Sequence, residues 1–83
     1  MELVERIKNI ISTVLKVDKD KIDEISQDET LNRVGVDSVN FIEIVVSLEE
    51  EFNIAFEDDE LLLQNLNTIN KLQAIISGKL ESL

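Results

Sequence analysis

At the start of the chain the apolar residues Leu3, Val4, Ile7, Ile10, Ile11, Val14 and Leu15 recur at steps of three and four. That spacing lays them along one face of a helix and leaves Glu5, Arg6, Lys8 and Asn9 on the other. It predicts a first helix over about residues 2–15, with Glu2 and Glu5 near the positive end of its dipole and Lys16 near the negative end. From Lys16 to Val36 the period fails. Val17, Ile22, Ile25, Leu31 and Val34 stand apart among charged and turn-forming residues, spaced as anchors onto something else. The stretch reads as a long loop, either a functional segment or a plain crossover between two roughly parallel helices.

Helical spacing returns after Gly35-Val36-Asp37-Ser38, where Asp37 can cap the free N–H groups of a second helix that runs to about Phe52. This helix carries two apolar stripes. Phe41, Ile44, Val45, Leu48 and Phe52 form an ordinary core face, whereas Val39, Ile42 and Val46 fall on roughly the opposite side. Glu43, Glu49 and Glu50 border the second stripe. A central helix buried on both sides would explain it, but an apolar strip edged with carboxylates on so small a bundle favours a docking footprint.

Beyond Asn53 come Phe56, the acidic run Glu57-Asp58-Asp59-Glu60 and then Leu61, Leu62 and Leu63, read as acids at the start of a short third helix. Ile69, Leu72, Ile75, Ile76 and Leu80 predict a last helix, capped by Asn67 or Thr68 and loosened near its end by Gly78. The expected fold is all-α: a four-helix up-down bundle of three longer helices and one short one, with a long first loop, as a single domain over residues 1–83.

Composition narrows this further. The chain has 83 residues, 43% of them hydrophobic, which is enough for a core and too many for a disordered acidic tail. Without proline, and with glycine only at positions 35 and 78, it lacks the turns an all-β fold needs. The absence of cysteine removes disulfides, thiolate zinc sites and thiol nucleophiles. The absence of histidine removes the usual general base and metal ligand. Eighteen acidic against eight basic residues leave a net charge of −10, which repels nucleic acid and anionic membranes and suits a basic protein partner. No apolar run is long enough to span a bilayer, and no signal peptide opens the chain, so a cytoplasmic monomer is expected.

Two acidic groups could be mistaken for metal sites. Asp18, Asp20 and Glu29 match the first, third and twelfth positions of an EF-hand loop, but Ile22 cannot ligate and Asp23 stands where the turn needs glycine. The run Glu57–Glu60 reads more simply as a solvated helix start.

Ser38 is the candidate functional residue. Serines at helix starts are common, yet here a glycine precedes, a helix begins, and the exposed stripe follows directly. A phosphate on this serine would lie beside the first-turn N–H groups and the positive helix end. Gly35 removes bulk beside it and permits turn geometries closed to other residues. With no base in the chain to activate it, Ser38 reads as an attachment point rather than a nucleophile, with the chemistry supplied by another enzyme.

At these residues the sequence resembles the acyl carrier proteins, including the peptidyl carrier domains of nonribosomal synthetases. Gly35-Val36-Asp37-Ser38-Val39 is similar to their Asp-Ser-Leu attachment motif, with valine for leucine. Glu43, Leu48-Glu49-Glu50-Glu51-Phe52 and Asn53-Ile54-Ala55-Phe56 resemble the family's second helix and its exit. The resemblance implies a 4′-phosphopantetheine arm on Ser38, transferred from coenzyme A by a magnesium-dependent phosphopantetheinyl transferase. It also implies acyl or aminoacyl cargo and no catalytic activity. Loading and synthase enzymes with basic patches would dock on Asp37, Val39, Ile42, Glu43, Val46, Glu49 and Glu50.

Asn40 departs from the acid usual in fatty-acid carriers, and the segment between Phe56 and Thr68 is slightly longer than typical there. Both point to a specialised polyketide, nonribosomal peptide or modified fatty-acid pathway. The alternative is an acidic helical adaptor that binds a basic partner through the second helix without a prosthetic group.

Overall fold

The computed structural model describes residues 3–81. Their α-helices are α1 (Leu3–Leu15), α2 (Lys19–Asp23), α3 (Ser38–Phe52), α4 (Leu63–Leu66) and α5 (Ile69–Glu81), with 3₁₀ turns at Leu31–Val34 and Asp58–Glu60. The three long helices thus stand where the apolar periods place them, and a short one lies between the last two. Glu2, expected beside the first helix start, lies outside the described residues.

The long helices pack because each offers a sealed aliphatic stripe. Ile7 and Ile11 of α1, Ile44 and Leu48 of α3, and Leu72 and Ile76 of α5 are almost completely buried, and α1 packs against both of the others. Each such side chain contributes about 1.5–3 kcal/mol relative to its exposed state. Arg6 ties the surface of α1 to α3: its guanidinium pairs with Glu51 and lies 4.4 Å from the centre of the Phe52 ring. α3 ends at Asn53, whose φ of 56° and ψ of 50° put it in the left-handed region that glycine more often fills.

The stretch from Lys16 to Val36 is more ordered than the sequence predicts. It holds α2 and the first 3₁₀ turn, with Ile22 and Leu31 as buried anchors and Val17, Ile25 and Val34 packed partly against the core. Lys8 reaches Asp23 at 3.1 Å and Lys19 pairs with Glu5, which hold α2 on α1. The far part of the segment is tied to the approach to α5, where Leu31 N–H donates to Asn67 O at 2.8 Å and Asn70 N–H to Gln27 O at 3.0 Å. Ile22, the residue that spoils an EF-hand reading, is fully buried.

Two further expectations are corrected. The acidic run does not start the short helix: it closes on itself, with Glu57 N–H donating to Glu60 Oε1 at 2.7 Å, and α4 begins only at Leu63, after an extended Leu62. Gly78 does not loosen the last helix, which continues through it to Glu81. A glycine costs a helix only about 1 kcal/mol relative to alanine, and α5 is pinned on either side of it by buried Ile76 and by the Lys79–Glu60 pair.

Thr68, the residue before α5, is buried, and its hydroxyl oxygen accepts Lys71 N–H at 3.1 Å. Thr68→Val keeps the shape and loses that acceptor. It is expected to destabilise the protein by about 1 kcal/mol, lowering the melting temperature by roughly 4–8 °C in a domain of this size. An unchanged melting temperature would show that the cap contributes nothing.

Candidate functional site

The approach to α3 is built by backbone geometry before any side chain acts. Leu31 and Val36 are buried and fix the ends of the turn, with Val36 N–H donating to Leu31 O at 3.2 Å. Between them Gly35 takes φ 106°, a conformation that strains any L side chain. A Cβ there would meet nothing within 4 Å, so Gly35 serves this turn through its dihedral angle and not through lack of bulk.

Asp37 caps α3 as expected. Its Oδ1 accepts Val39 N–H at 2.9 Å and Asn40 N–H at 3.0 Å. Asn40 returns the contact: its Oδ1 accepts Asp37 N–H at 2.7 Å, and its Nδ2 donates to Gly35 O at 2.9 Å. This box was not read from the sequence, although an Asp followed three residues later by a side-chain acceptor is the available signal.

Ser38 is the first residue of α3 and is exposed. Among the described residues no hydrogen bond engages its hydroxyl. A phosphate attached there would meet the positive end of a 15-residue helix. It would not find the Val39 and Asn40 N–H groups free, because Asp37 already holds both. That modifies the sequence reading, in which those donors were left for the phosphate.

The second stripe of α3 faces outward. Val39 is 73% exposed, Ile42 54% and Val46 45%, a strip about 10 Å long at the helical rise. α3 has no basic residue and four glutamates, which the packing divides. Glu51 is neutralised by Arg6. Glu49 is half-buried, and its Oε2 accepts Phe56 N–H at 2.9 Å, holding the chain as it leaves the helix. Glu43 and Glu50 are exposed, with no ion pair or hydrogen bond among the described residues. Val39, Ile42, Glu43, Val46 and Glu50 therefore share an open surface, whereas Glu49 has a second, internal task.

At the other end of α3, some 20 Å along the helix from Ser38, an open groove runs between Ile54 and Ala55 on one side and Ala74 and Ile75 of α5 on the other. Glu60 and Lys79 cross it as an ion pair of 2.7 Å. The Lys79 ammonium, with Glu57 N–H, holds the Glu60 carboxyl below the ordinary glutamate value. A depressed folded-state value means the pair's stabilisation is present above the unfolded value of 4.5 and is lost as pH falls through the folded one. The melting temperature of Glu60→Gln is therefore expected to fall less steeply than the parent's on acidification below that value. Parallel curves for the two proteins would remove Glu60 from the acid response.

Residues 5–76 match the family described as phosphopantetheine attachment site. The chain is 35% identical over 75 residues to an acyl carrier protein of Buchnera aphidicola (subsp. Acyrthosiphon pisum, strain 5A), covering 90% of this chain and 89% of that one. It is 34% identical over 79 residues to an acyl carrier protein of Thermosynechococcus vestitus, covering 94% and 91%. Acyl carrier protein 1, chloroplastic, of Spinacia oleracea is 30% identical over 80 residues, covering 96% of this chain and 55% of the relative.

Proposed function

The chain belongs to the acyl carrier protein family, a family of non-catalytic carriers bearing 4′-phosphopantetheine, and we propose that Ser38 is the residue to which that group is joined. The observation that carries the assignment is an exposed hydroxyl, unengaged among the described residues, on the first residue of α3, directly beside an outward apolar strip. Ser38 fits the group because nothing must be displaced to reach its oxygen. In the transfer, Ser38 Oγ forms a bond to the phosphorus next to the pantetheine. The pyrophosphate P–O bond of coenzyme A breaks, adenosine 3′,5′-bisphosphate leaves, and the hydroxyl proton passes to a base of the transferase. The arm supplies a terminal thiol on which cargo is carried as a thioester.

The surroundings suit an arm that must swing. With Val39 and Asn40 N–H groups held by Asp37, no first-turn donor of those two is left to grip a phosphodiester. The Asp37 carboxylate beside it discourages close contact between arm and protein.

Partners of this family are the phosphopantetheinyl transferase and acyl-processing enzymes. We place their docking on Val39, Ile42, Val46, Glu43 and Glu50. A net charge of −10 draws a basic partner in from a distance, while a small apolar contact keeps each complex short-lived. No helix among the described residues is long and apolar enough to cross a membrane. A cytoplasmic monomer that avoids nucleic acid remains part of the proposal.

The relatives' names support acyl over aminoacyl cargo. A specialised pathway rested on Asn40 and on the segment between Phe56 and Thr68. Asn40 now has a local explanation in the cap of α3, so the segment is the remaining support.

Incubation with coenzyme A, magnesium and a broad-specificity phosphopantetheinyl transferase tests the assignment. Intact-mass measurement is expected to show one added phosphopantetheine. No added mass would return the chain to the acidic adaptor reading.

A further inference from the structure

Asn40 holds two groups at once. Its Oδ1 accepts Asp37 N–H at 2.7 Å, and its Nδ2 donates to Gly35 O at 2.9 Å. The orientation of the carboxamide is forced, since an N–H must meet the oxygen and a carbonyl must meet the nitrogen. Closing the cap needs only the first bond, which a carboxylate could make equally well. The second needs a donor, and of the two only the amide has one.

That second bond ties the start of α3 back to the turn that leads into it. Gly35 has no Cβ and sits at φ 106°, and the Asn40 bond to its carbonyl adds to the bonds that Gly35 N–H makes to Asn32 O and Val36 N–H makes to Leu31 O, both at 3.2 Å. The bond closes a loop from residue 35 to residue 40 with Ser38 inside it. Helix ends fray, and Ser38 is a terminal helical residue. Bonds to the peptides on the near side of Ser38 oppose that fraying.

We propose that Asn40 is a positioning residue for the charging of Ser38: its carboxamide clasps Gly35 O and Asp37 N–H, and so keeps the serine in helical geometry when the transferase arrives. The inference rests on Ser38 being the attachment residue. Asn40 itself touches neither coenzyme A nor the reacting oxygen. Its effect belongs in the chemical step, because misplacing a nucleophile by about 1 Å can cost ~100-fold in rate without weakening binding.

The test compares the parent with Asn40→Asp and Asn40→Ala. The aspartate keeps the acceptor for Asp37 N–H, gains a favourable charge in the first turn, and sets an oxygen against Gly35 O. The alanine removes both bonds and adds no charge. Both variants are expected to remain folded, with kcat for charging by coenzyme A and transferase reduced roughly 10- to 100-fold and KM for the carrier little changed. Amide hydrogen exchange at Asp37 is expected to quicken in Asn40→Ala. A parent-like kcat in both variants would overturn the proposal, as would a loss confined to KM in the aspartate variant. Unchanged exchange at Asp37 in Asn40→Ala would overturn it without involving the transferase at all. Charging of a Ser38→Ala control would instead remove the attachment reading, and Asn40's role with it.

Discussion

Ser38→Ala is expected to fold like the parent and to remain silent to thiol reagents after incubation with coenzyme A and transferase, whereas the parent acquires one reactive thiol. The chain has no cysteine, so any thiol in the purified protein belongs to the arm. The variant's fold is safe for a local reason. Ser38 is exposed and its hydroxyl bonds to nothing among the described residues, while Asp37 Oδ1 and Asn40 form the cap without it. Exposed substitutions of this kind usually stay within about 0.5 kcal/mol. The loss is thus all-or-none in charging and near zero in stability, a separation that a merely structural serine would not produce. A thiol titrating in Ser38→Ala would mean that another hydroxyl carries the arm.

The second large effect concerns charge on α3. Replacing Glu43 and Glu50 together by lysine changes the charge of the proposed docking face by four units, with no internal bond lost among the described residues. Electrostatic steering lifts association from about 10⁵–10⁶ to as much as 10⁸–10⁹ M⁻¹s⁻¹. The double variant is therefore expected to lose at least roughly tenfold in kcat/KM for charging. The parent should slow as salt is added, since screening acts over about 8 Å at physiological ionic strength, and the variant should lose that dependence. Glu51→Gln is the control, because Arg6 already neutralises that carboxylate. If Glu51→Gln slowed charging as much as the double reversal, the docking face would lie elsewhere.

The same four glutamates show how far a sequence can be read. Glu43, Glu49, Glu50 and Glu51 are alike as letters on one helix, and the period places three of them beside the Val39–Ile42–Val46 stripe. Only packing reveals that Arg6 of α1 takes Glu51, or that the chain turns back after Asn53 to bring Phe56 N–H to Glu49. Those contacts depend on tertiary structure, which spacing does not encode.

Length decides what periodicity can show. α1, α3 and α5 each repeat their apolar residues over three turns or more, so their buried faces were legible. α2 has five residues and α4 four, little more than one turn each, and no period can emerge from that. Ile22 and Leu31 were recognisable as anchors, but the turns that carry them were not. The start of α3 was the most legible feature, because Asp37 and Gly35 act through their own backbone surroundings. Asn40 was legible as a departure from the family and illegible as a clasp, since its second bond reaches back five residues to Gly35 O.

We propose that one oxygen, Ser38 Oγ, joins the arm to the chain. Fragmentation mass spectrometry of the charged protein addresses it directly, by locating the added group within the sequence. The whole of it is expected on Ser38, with Ser12, Ser26, Ser47, Ser77 and Ser82 unmodified. Phosphopantetheine found on any of those serines, with Ser38 bare, would contradict it.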